Sequence, residues 1–326
     1  MENKSGLSIA VMLSVIGLVG LTLGTSVGFV LDSYPVAEAL AFGAAVFIVG
    51  GVGLYLAVKA KTVDNEFAKW RKYEMLGLVL CVAVVAFAAQ PTIYAANFII
   101  ANRALRDAGE RDINTVRGMI TTFKAKESDR LSLTREGLEN YMAFRPQSVD
   151  SRLKHFILFE VMHNHAGSLN SHVINEYVVE KSYIIEHGSL QDDLFRRYDN
   201  ELTTISNRLS NFDIADFPGM ATELTALSDS VGANLTALSS NMNFGNIGVD
   251  ELGTYYYSPI SGDRYMDRAE AFGREYASMF APRLGSLAIL IAFVLLFIFD
   301  YLMEFRSLRV PAWNGPKISD RDGLPL

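Results

Sequence analysis

The chain has 326 residues, of which 50% are hydrophobic and 20% are charged, and its mean hydropathy is +0.20. A positive mean hydropathy at this charge content indicates that apolar residues are collected in blocks, which argues against a soluble protein with dispersed core positions. The formal net charge of -7 argues against nucleic acid and anionic lipid headgroups as partners, because both require a basic surface.

Four apolar blocks each approach the ~20 residues that an α-helix needs to cross a bilayer. Glu38 and Asp300 are the only charged residues in them, and both lie near the end of a block. The first block is longer than the apolar region of a signal peptide, so we expect it to be retained as an anchor. The sequence therefore predicts an all-α membrane protein with four transmembrane helices, at 7–31, 36–58, 75–100 and 284–303.

Basic residues in the short connections predict the orientation of these helices. The loop 59–74 carries five Lys and Arg and the tail 304–326 carries four, whereas the connection 32–35 carries none. We therefore expect both termini and the loop 59–74 in the cytoplasm and a large domain, 101–283, outside it. Long domains are translocated largely regardless of charge, so we discount four arginines that oppose this orientation, Arg103, Arg106, Arg111 and Arg117.

The predicted extracytoplasmic domain carries all of the net charge, with 19 Lys and Arg against 26 Asp and Glu in residues 101–283. An acidic solvated surface without a specific role is the ordinary explanation. The single cysteine, Cys81, lies in the third apolar block, so the domain has no disulfide. An exported domain of this size without cysteines favours a bacterial inner membrane as its location.

Hydrophobic periodicity predicts that this domain is mainly helical. An amphipathic stripe from Ile113 to Tyr141 continues the third apolar helix until Pro146 ends it. Residues 241–262 contain four glycines, three consecutive tyrosines and a proline, so we predict an irregular loop with at most one short strand. Further helices are predicted from Ser148 to about His165, around 173–185 with a stop at Gly188, from Ser189, after 218–219, and from Asp263.

Two patterns in the apolar blocks indicate helix contacts. Gly20, Gly24 and Gly28 recur every fourth residue, which gives a smooth face for close approach either of a partner or of another helix in the same bundle. Gln90, Tyr94 and Asn97 share one face of the third helix and are predicted to hydrogen-bond inward, with a small polar cavity as the sharper alternative. The middles of the four blocks carry no charge, which argues against a pump.

The five histidines all lie in residues 101–283, so no histidine in a span can bind a membrane haem. A zinc site is conceivable only if Glu160, His163 and His172 are brought together by a turn at Gly167. Their spacing matches no established zinc pattern, and polar surface histidines are the favoured interpretation. We predict no metal and no cofactor.

The sequence contains none of the phosphate-binding or hydrolase motifs that mark common enzyme classes, and the cytoplasmic segments are too short for a catalytic domain. We therefore expect a non-enzymatic subunit that acts through the bilayer and through other membrane or envelope proteins, as a homo- or hetero-oligomer. Tyr255, Tyr256 and Tyr257 are candidate contact residues, although tyrosines are also ordinary core residues.

The sequence is compatible with three functions. The first is a scaffold or assembly component of a cell-envelope membrane complex. The second is a receptor or sensor subunit, which requires a ligand pocket among the outer helices. The third is a channel or transporter subunit, which requires a polar pathway that the apolar fourth block does not offer.

Overall fold

The computed structural model describes residues 3–62, 67–144, 148–163, 165–211 and 214–299. The described chain is mostly α-helical, as predicted. Three helices are long and apolar enough to cross a membrane, over Ile9–Leu31, Val36–Ala60 and part of Arg71–Phe144, and the apolar helix Leu284–Phe297 is shorter. Four predicted features lie outside the described residues: the helix end at Pro146, Asp300, the tail 304–326 and part of the loop 59–74.

The secondary structure follows the predicted order of helices, with one hairpin inserted. The helices are α1 (Asn3–Leu31), α2 (Val36–Thr62), α3 (Phe67–Phe144), α4 (Ser151–Phe156), α5 (Ser171–His187), α6 (Leu194–Asn211), α7 (Phe217–Asn241), α8 (Ala271–Ser278) and α9 (Leu284–Phe297). A π-helical segment, Ile157–Val161, continues α4, and a short 3-10 turn, Ile214–Asp216, precedes α7. The strands are β1 (Gly245–Val249) and β2 (Tyr255–Pro259).

The chain divides into two compact units. The apolar unit consists of the described residues within 1–105, 213–218 and 275–326, and the polar unit consists of those within 106–212 and 219–274. The helix α3 is continuous through Pro91 and contributes residues to both units. Proline is tolerated inside an apolar helix when neighbouring groups compensate for the lost hydrogen bond.

In the apolar unit, α1 packs against α2 and α9. The core of the unit draws side chains from α1, α2, α3 and α9, and their burial brings apolar surfaces together. Its members are Leu18, Leu21, Val46, Leu54, Ala57, Cys81, Val84, Ala88 and Phe297. The thiol of Cys81 is therefore part of this core.

In the polar unit, helices end where the sequence places a breaker or a cap. Asn170 caps α5 by accepting hydrogen bonds from the backbone N–H groups of His172 and Val173. Gly188 ends α5 in the left-handed conformation (φ 81°), as glycine permits and as its position predicts. The core of the unit includes Phe123, whose ring lies edge-on to Phe195 (5.8 Å).

The segment 241–262 differs from the predicted irregular loop, because it forms a complete antiparallel hairpin in which β1 pairs with β2. The outer edge of β2 also pairs with the strand-like residues before α4, through a bridge between Val149 and Tyr255. A β-carbon at Gly137 of α3 would lie 2.6 Å from that of Ile247, so this glycine lets β1 approach the helix closely. Tertiary contacts thus stabilise a glycine-rich strand that local propensity disfavours.

The helix predicted from Asp263 begins only at Ala271. The preceding residues are not helical because hydroxyl groups on one face of α7 accept their backbone N–H groups: Ser239 from Asp263 (2.9 Å), Thr236 from Tyr265 (3.0 Å) and Ser228 from Ala269 (3.1 Å). These bonds replace the internal bonds of a helix.

Candidate functional site

The predicted polar face of α3 supports a turn within the apolar unit. Asn97 is fully buried, and its amide nitrogen donates to the carbonyl oxygens of Met279 (2.6 Å) and Ala281 (2.8 Å). These carbonyls lie in the non-helical turn between α8 and α9, close to Pro282, where helical partners are missing. Asn97 therefore satisfies backbone groups that would be costly to bury alone.

The other two members of the polar face are close to the same turn. The ring of Tyr94 lies edge-on to Phe280, with ring centroids 4.8 Å apart, and the exposed amide of Gln90 donates to the Tyr94 hydroxyl. Asn97 and Tyr94 therefore contact the turn before α9, whereas the exposed Gln90 bonds to Tyr94.

The glycine seam of α1 is occupied by helices of the same chain. A β-carbon at Gly20 would lie 2.6 Å from the ring of Phe293 on α9, and one at Gly24 would lie 2.8 Å from the side chain of Thr92 on α3. At Gly28 it would lie 2.0 Å from the carbonyl oxygen of Pro91, where no side-chain movement can make room. The seam therefore serves packing inside the bundle and gives no support to contact with a second copy.

The three candidate tyrosines of the hairpin have different environments because side chains alternate along a strand. Tyr255 is buried, and Tyr257 is half-buried and stacks on Phe156 with ring centroids 4.4 Å apart. Burial and the nearby carboxylate of Glu160 raise the pKa of Tyr257 to about 12. Of the three tyrosines, Tyr256 has the most surface available to a partner, whereas Tyr255 and Tyr257 contribute to packing.

The turn of the hairpin displays a leucine that the sequence analysis missed. Leu252 is 89% exposed, while the carboxylate of Asp250 accepts the backbone N–H groups of Leu252 (3.0 Å) and Thr254 (2.7 Å). Gly253 completes the turn with φ 80°. The sequence "DELGT" carries the signal for such a turn, namely an aspartate with a glycine three residues later.

The three weak candidates for a metal site have separate partners. The carboxylate of Glu160 accepts a hydrogen bond from the side chain of Asn243 (3.0 Å), and His172 lies 3.3 Å from Glu176. His163 contacts the backbone oxygen of Glu160 through Nδ1 (3.1 Å) and lies 3.9 Å from Glu180. Among the described residues, no group of three His, Cys, Asp or Glu side chains is arranged to hold a metal ion.

A groove of about 770 Å³ lies along α5 in the polar unit. Its walls include Tyr177, Val179 and Tyr183 of α5 and Leu190 beyond the end of that helix. The carboxylates of Glu176 and Glu180 and the rings of His163 and His165 also line it. These histidines are visible in the sequence, but the groove itself depends on tertiary contacts between α5 and other segments of the chain.

A buried charged network around Glu127 was also missed. The Glu127 side chain is completely buried, and one of its oxygens accepts hydrogen bonds from Ser239 (2.6 Å) and Arg130 (2.7 Å). Arg130 also pairs with Asp263 (3.1 Å). Burial raises the pKa of Glu127, and a hydrogen bond from Lys126 lowers that of Asp263. The i,i+3 spacing of Glu127 and Arg130 resembles an ordinary surface pair, so only tertiary structure reveals the network.

No family model, no curated protein and no solved structure matches this chain. The interpretation of its function therefore depends on the geometry of these sites.

Proposed function

We propose that the chain is a non-enzymatic polytopic membrane subunit that acts as a scaffold or assembly component of a cell-envelope membrane complex. In this proposal four helices span the bilayer, both termini are cytoplasmic, and residues 101–283 bind other membrane or envelope proteins, or further copies of the chain, outside a bacterial inner membrane. The distribution of basic residues in the short connections supports the orientation.

The packing of α9 supports its assignment as the fourth span. Its 14 residues cover only about 21 Å at 1.5 Å per residue, so the proposal keeps the sequence-based extent of this span, 284–303. Phe293 contacts the glycine face of α1, and Phe297 is fully buried in the same core as Leu18 and Leu21. This packing is the arrangement expected when α9 crosses the bilayer beside α1.

The observation that carries the scaffold proposal is the display of Leu252 on a hydrogen-bonded turn. Leu252 is 89% exposed, and exposed apolar side chains mark interaction surfaces when several of them lie together. Val249 (50% exposed) and Tyr256 (41% exposed) lie on the same hairpin, on its two opposite faces, because Val249 is paired with Tyr255. Because the bonds of Asp250 fix the turn before a partner binds, little ordering entropy is lost on association. We name Val249, Leu252 and Tyr256 the hairpin tip.

Photo-cross-linking in native membranes tests this proposal. With p-benzoylphenylalanine in place of Leu252 in the full chain, we expect a discrete cross-linked product whose yield falls when Tyr256 is changed to Ala. Coexpression of two differently tagged copies then decides whether the partner is a second copy or another protein. The matched control carries the probe at Leu133, a half-exposed leucine of α3 in the polar unit.

A discrete product at Leu252 and none at Leu133 supports the hairpin tip as a contact surface. Equal products at the two positions, or no product at Leu252, contradict it.

A receptor or sensor subunit is a second candidate, favoured by the groove along α5. Its volume of about 770 Å³ lies in the range of small-molecule sites, and both apolar and charged side chains line it. A ligand-dependent increase in the melting temperature of the full chain would favour this function over a scaffold that binds only proteins.

A further inference from the structure

The register of the hairpin determines which backbone groups of β1 point away from β2. In an antiparallel pair, residue pairs that exchange hydrogen bonds alternate with pairs that do not. The N–H of Ile260 donates to the carbonyl of Phe244 (2.8 Å) at one end of the hairpin. At the other end, the N–H of Asp250 donates to the carbonyl of Thr254 (3.0 Å). The residues of β1 that direct their N–H and C=O groups outward are therefore Gly245, Ile247 and Val249.

Two outward-facing positions of the hairpin are bonded within the chain. At Gly245 of β1, the hydroxyl of Thr134 on α3 accepts the backbone N–H (3.2 Å) and donates to the carbonyl (3.1 Å). At Tyr255 of β2, the backbone N–H donates to the carbonyl of Ser148 (3.2 Å), and the carbonyl accepts the N–H of Asp150 (2.8 Å). The chain thus protects these parts of its strand edges, as soluble sheets commonly do.

The remaining outward groups of β1 have no such partner. None of the described residues forms a hydrogen bond with the outward N–H and C=O groups of Ile247 and Val249. The side chain of Ile247 packs on α3 at Gly137, whereas Val249 is 50% exposed. We name the outward backbone groups of Ile247 and Val249 the open edge. An edge of this kind is a template for pairing with another extended chain.

The side chains around the open edge indicate what kind of chain it suits. Tyr256 lies across Gly248, because a β-carbon at this glycine would lie 2.8 Å from the Tyr256 hydroxyl, and the tyrosine is 41% exposed. Asp250 and Glu251 follow β1 directly and are exposed. No Lys, Arg or His in the described part of the chain forms an ion pair with either carboxylate. Charge complementarity therefore favours a basic residue in a segment that binds here.

We propose that the open edge binds an extended segment of another protein, which adds a third strand to the hairpin. Its backbone forms about four hydrogen bonds with Ile247 and Val249. Its aliphatic side chains lie beside Val249, and a Lys or Arg pairs with Glu251. A second copy that pairs through its own β1 is disfavoured, because it brings another acidic turn to this edge. This inference rests on the proposed contact at the hairpin tip and specifies the chemistry of the partner.

Proline at Val249 tests the backbone pairing in the full chain in native membranes, with p-benzoylphenylalanine at Leu252 as the probe. Val249→Pro removes an outward N–H but no bond to β2, because Val249 and Tyr255 are a pair that exchanges none. The matched control, Val249→Thr, retains the N–H and the branched shape. We expect the cross-linked yield to fall at least about 5-fold in Val249→Pro and less than about 2-fold in Val249→Thr.

The melting temperatures of these variants in detergent show whether the hairpin is intact, and we expect agreement within about 2 °C. If Val249→Pro melts lower than this, a second pair of substitutions decides. Glu251→Lys should lower the cross-linked yield at least about 3-fold, because it places a positive charge against a basic segment. Glu201→Lys, the same change at an exposed carboxylate of α6, should leave the yield unchanged.

The results separate the strand from the contact surface itself. Lower yields in Val249→Pro and Glu251→Lys, with both controls unchanged, support the proposal. Equal yields in Val249→Pro and Val249→Thr at equal melting temperatures, or equal yields in Glu251→Lys and Glu201→Lys, overturn it but leave the scaffold contact intact. A product that joins two differently tagged copies overturns the assignment to another protein. Absence of any product at Leu252 in the otherwise unchanged chain contradicts the contact surface and the strand together.

Discussion

The apolar unit and the polar unit use polar side chains in different ways. In the apolar unit these side chains bond to the backbone: Thr25 donates to the carbonyl of Leu21 (2.7 Å), and Asn97 donates to two carbonyls in the turn before α9. In the polar unit, polar side chains bond to the backbone, as Ser239 does to Asp263, and also to one another, as Glu127, Arg130 and Ser239 do. The polar unit therefore adds a buried charged network to the backbone bonds that both units make.

The difference follows from the environment that each unit suits. In a bilayer no water is present to donate a hydrogen bond to an unpaired carbonyl, so polar side chains stabilise the fold most by bonding to the backbone. Close packing of helices there depends on small residues. In a unit exposed to water, a charged network can form because its outer members remain solvated. This comparison predicts that the apolar unit is most sensitive to added volume and the polar unit to the loss of buried polar partners.

The largest effect is expected from Gly28→Leu. The added side chain would meet the backbone of Pro91 at 2.0 Å, so α1 and α3 must separate and the packing of the bundle is lost. We expect a loss of about 3 kcal/mol or more in the free energy of unfolding, measured in detergent with a denaturant series.

The matched control for this change is Gly51→Leu on α2. Gly51 has no atom of a neighbouring residue within 4 Å of an added β-carbon, so the same substitution should change the stability by less than about 0.5 kcal/mol. If both variants lose stability equally, close packing does not distinguish the glycine seam from the rest of the apolar unit.

The polar unit should be most sensitive at Glu127. Glu127→Ala removes the acceptor of Ser239 and Arg130 in a buried setting, and we expect a loss of about 2 to 3 kcal/mol. Glu139→Ala at the exposed pair on the same helix should lose less than about 0.5 kcal/mol. Equal losses from the two substitutions would contradict a role for the buried network.

The pH dependence of the same site has a definite sign. Burial raises the pKa of Glu127 above its usual value of 4.5, so the folded state favours the protonated form. Its contribution to stability is present below the unfolded pKa and is lost as the pH rises through the folded pKa. The stability of the wild type relative to Glu127→Gln should therefore fall as the pH rises above about 4.5, in paired denaturant titrations. A relative stability that rises over this range would show that the ion pair with Arg130 dominates.

The sequence predicted those parts of the fold that depend on local pattern. The long apolar blocks correspond to helices, and Gly188 ends α5, because hydrophobic periodicity and glycine conformation act within a few residues. The hairpin at 241–262 was missed because its glycines disfavour a strand locally, whereas the packing of Ile247 against Gly137 that stabilises it is distant in sequence. The extended residues before α8 were missed for the same reason, because hydroxyl groups of α7 accept their N–H groups.

The candidate sites were likewise predictable only where they depend on residues that are close in sequence. The spacing of Gln90, Tyr94 and Asn97 could not identify the turn before α9, because Asn97 bonds to carbonyls that lie about 180 residues away in the chain. The groove along α5 and the network of Glu127 arise from tertiary contacts alone. Neither the hydrophobic pattern nor a residue spacing identifies them, whereas the exposed turn at Leu252 had a recognisable sequence signal.

A smaller effect is expected from Asn97→Ala in the apolar unit. The substitution removes both bonds to the turn and leaves the carbonyls of Met279, which is buried, and Ala281 without that partner, so we expect a loss of about 1 to 2 kcal/mol. The control is Gln90→Ala, which removes an exposed amide of the same helix face and should be close to neutral. Hydrogen exchange of the backbone amides of residues 279–283 should increase in Asn97→Ala and remain unchanged in Gln90→Ala.

The smallest effect is expected from the exposed pair of Arg135 and Glu139, whose side chains are each about half exposed and lie 2.7 Å apart. A double-mutant cycle with alanine at both positions should give a coupling energy of about 0.3 kcal/mol, which is lost near 1 M salt because the pair is solvated and screened. The equivalent cycle for Glu127 and Ser239 should give a coupling energy of more than about 1 kcal/mol. This coupling energy should not depend on salt concentration, because the contact is buried. Equal salt dependence in the two cycles would mean that water reaches Glu127, and the polar unit would then be stabilised by apolar packing alone.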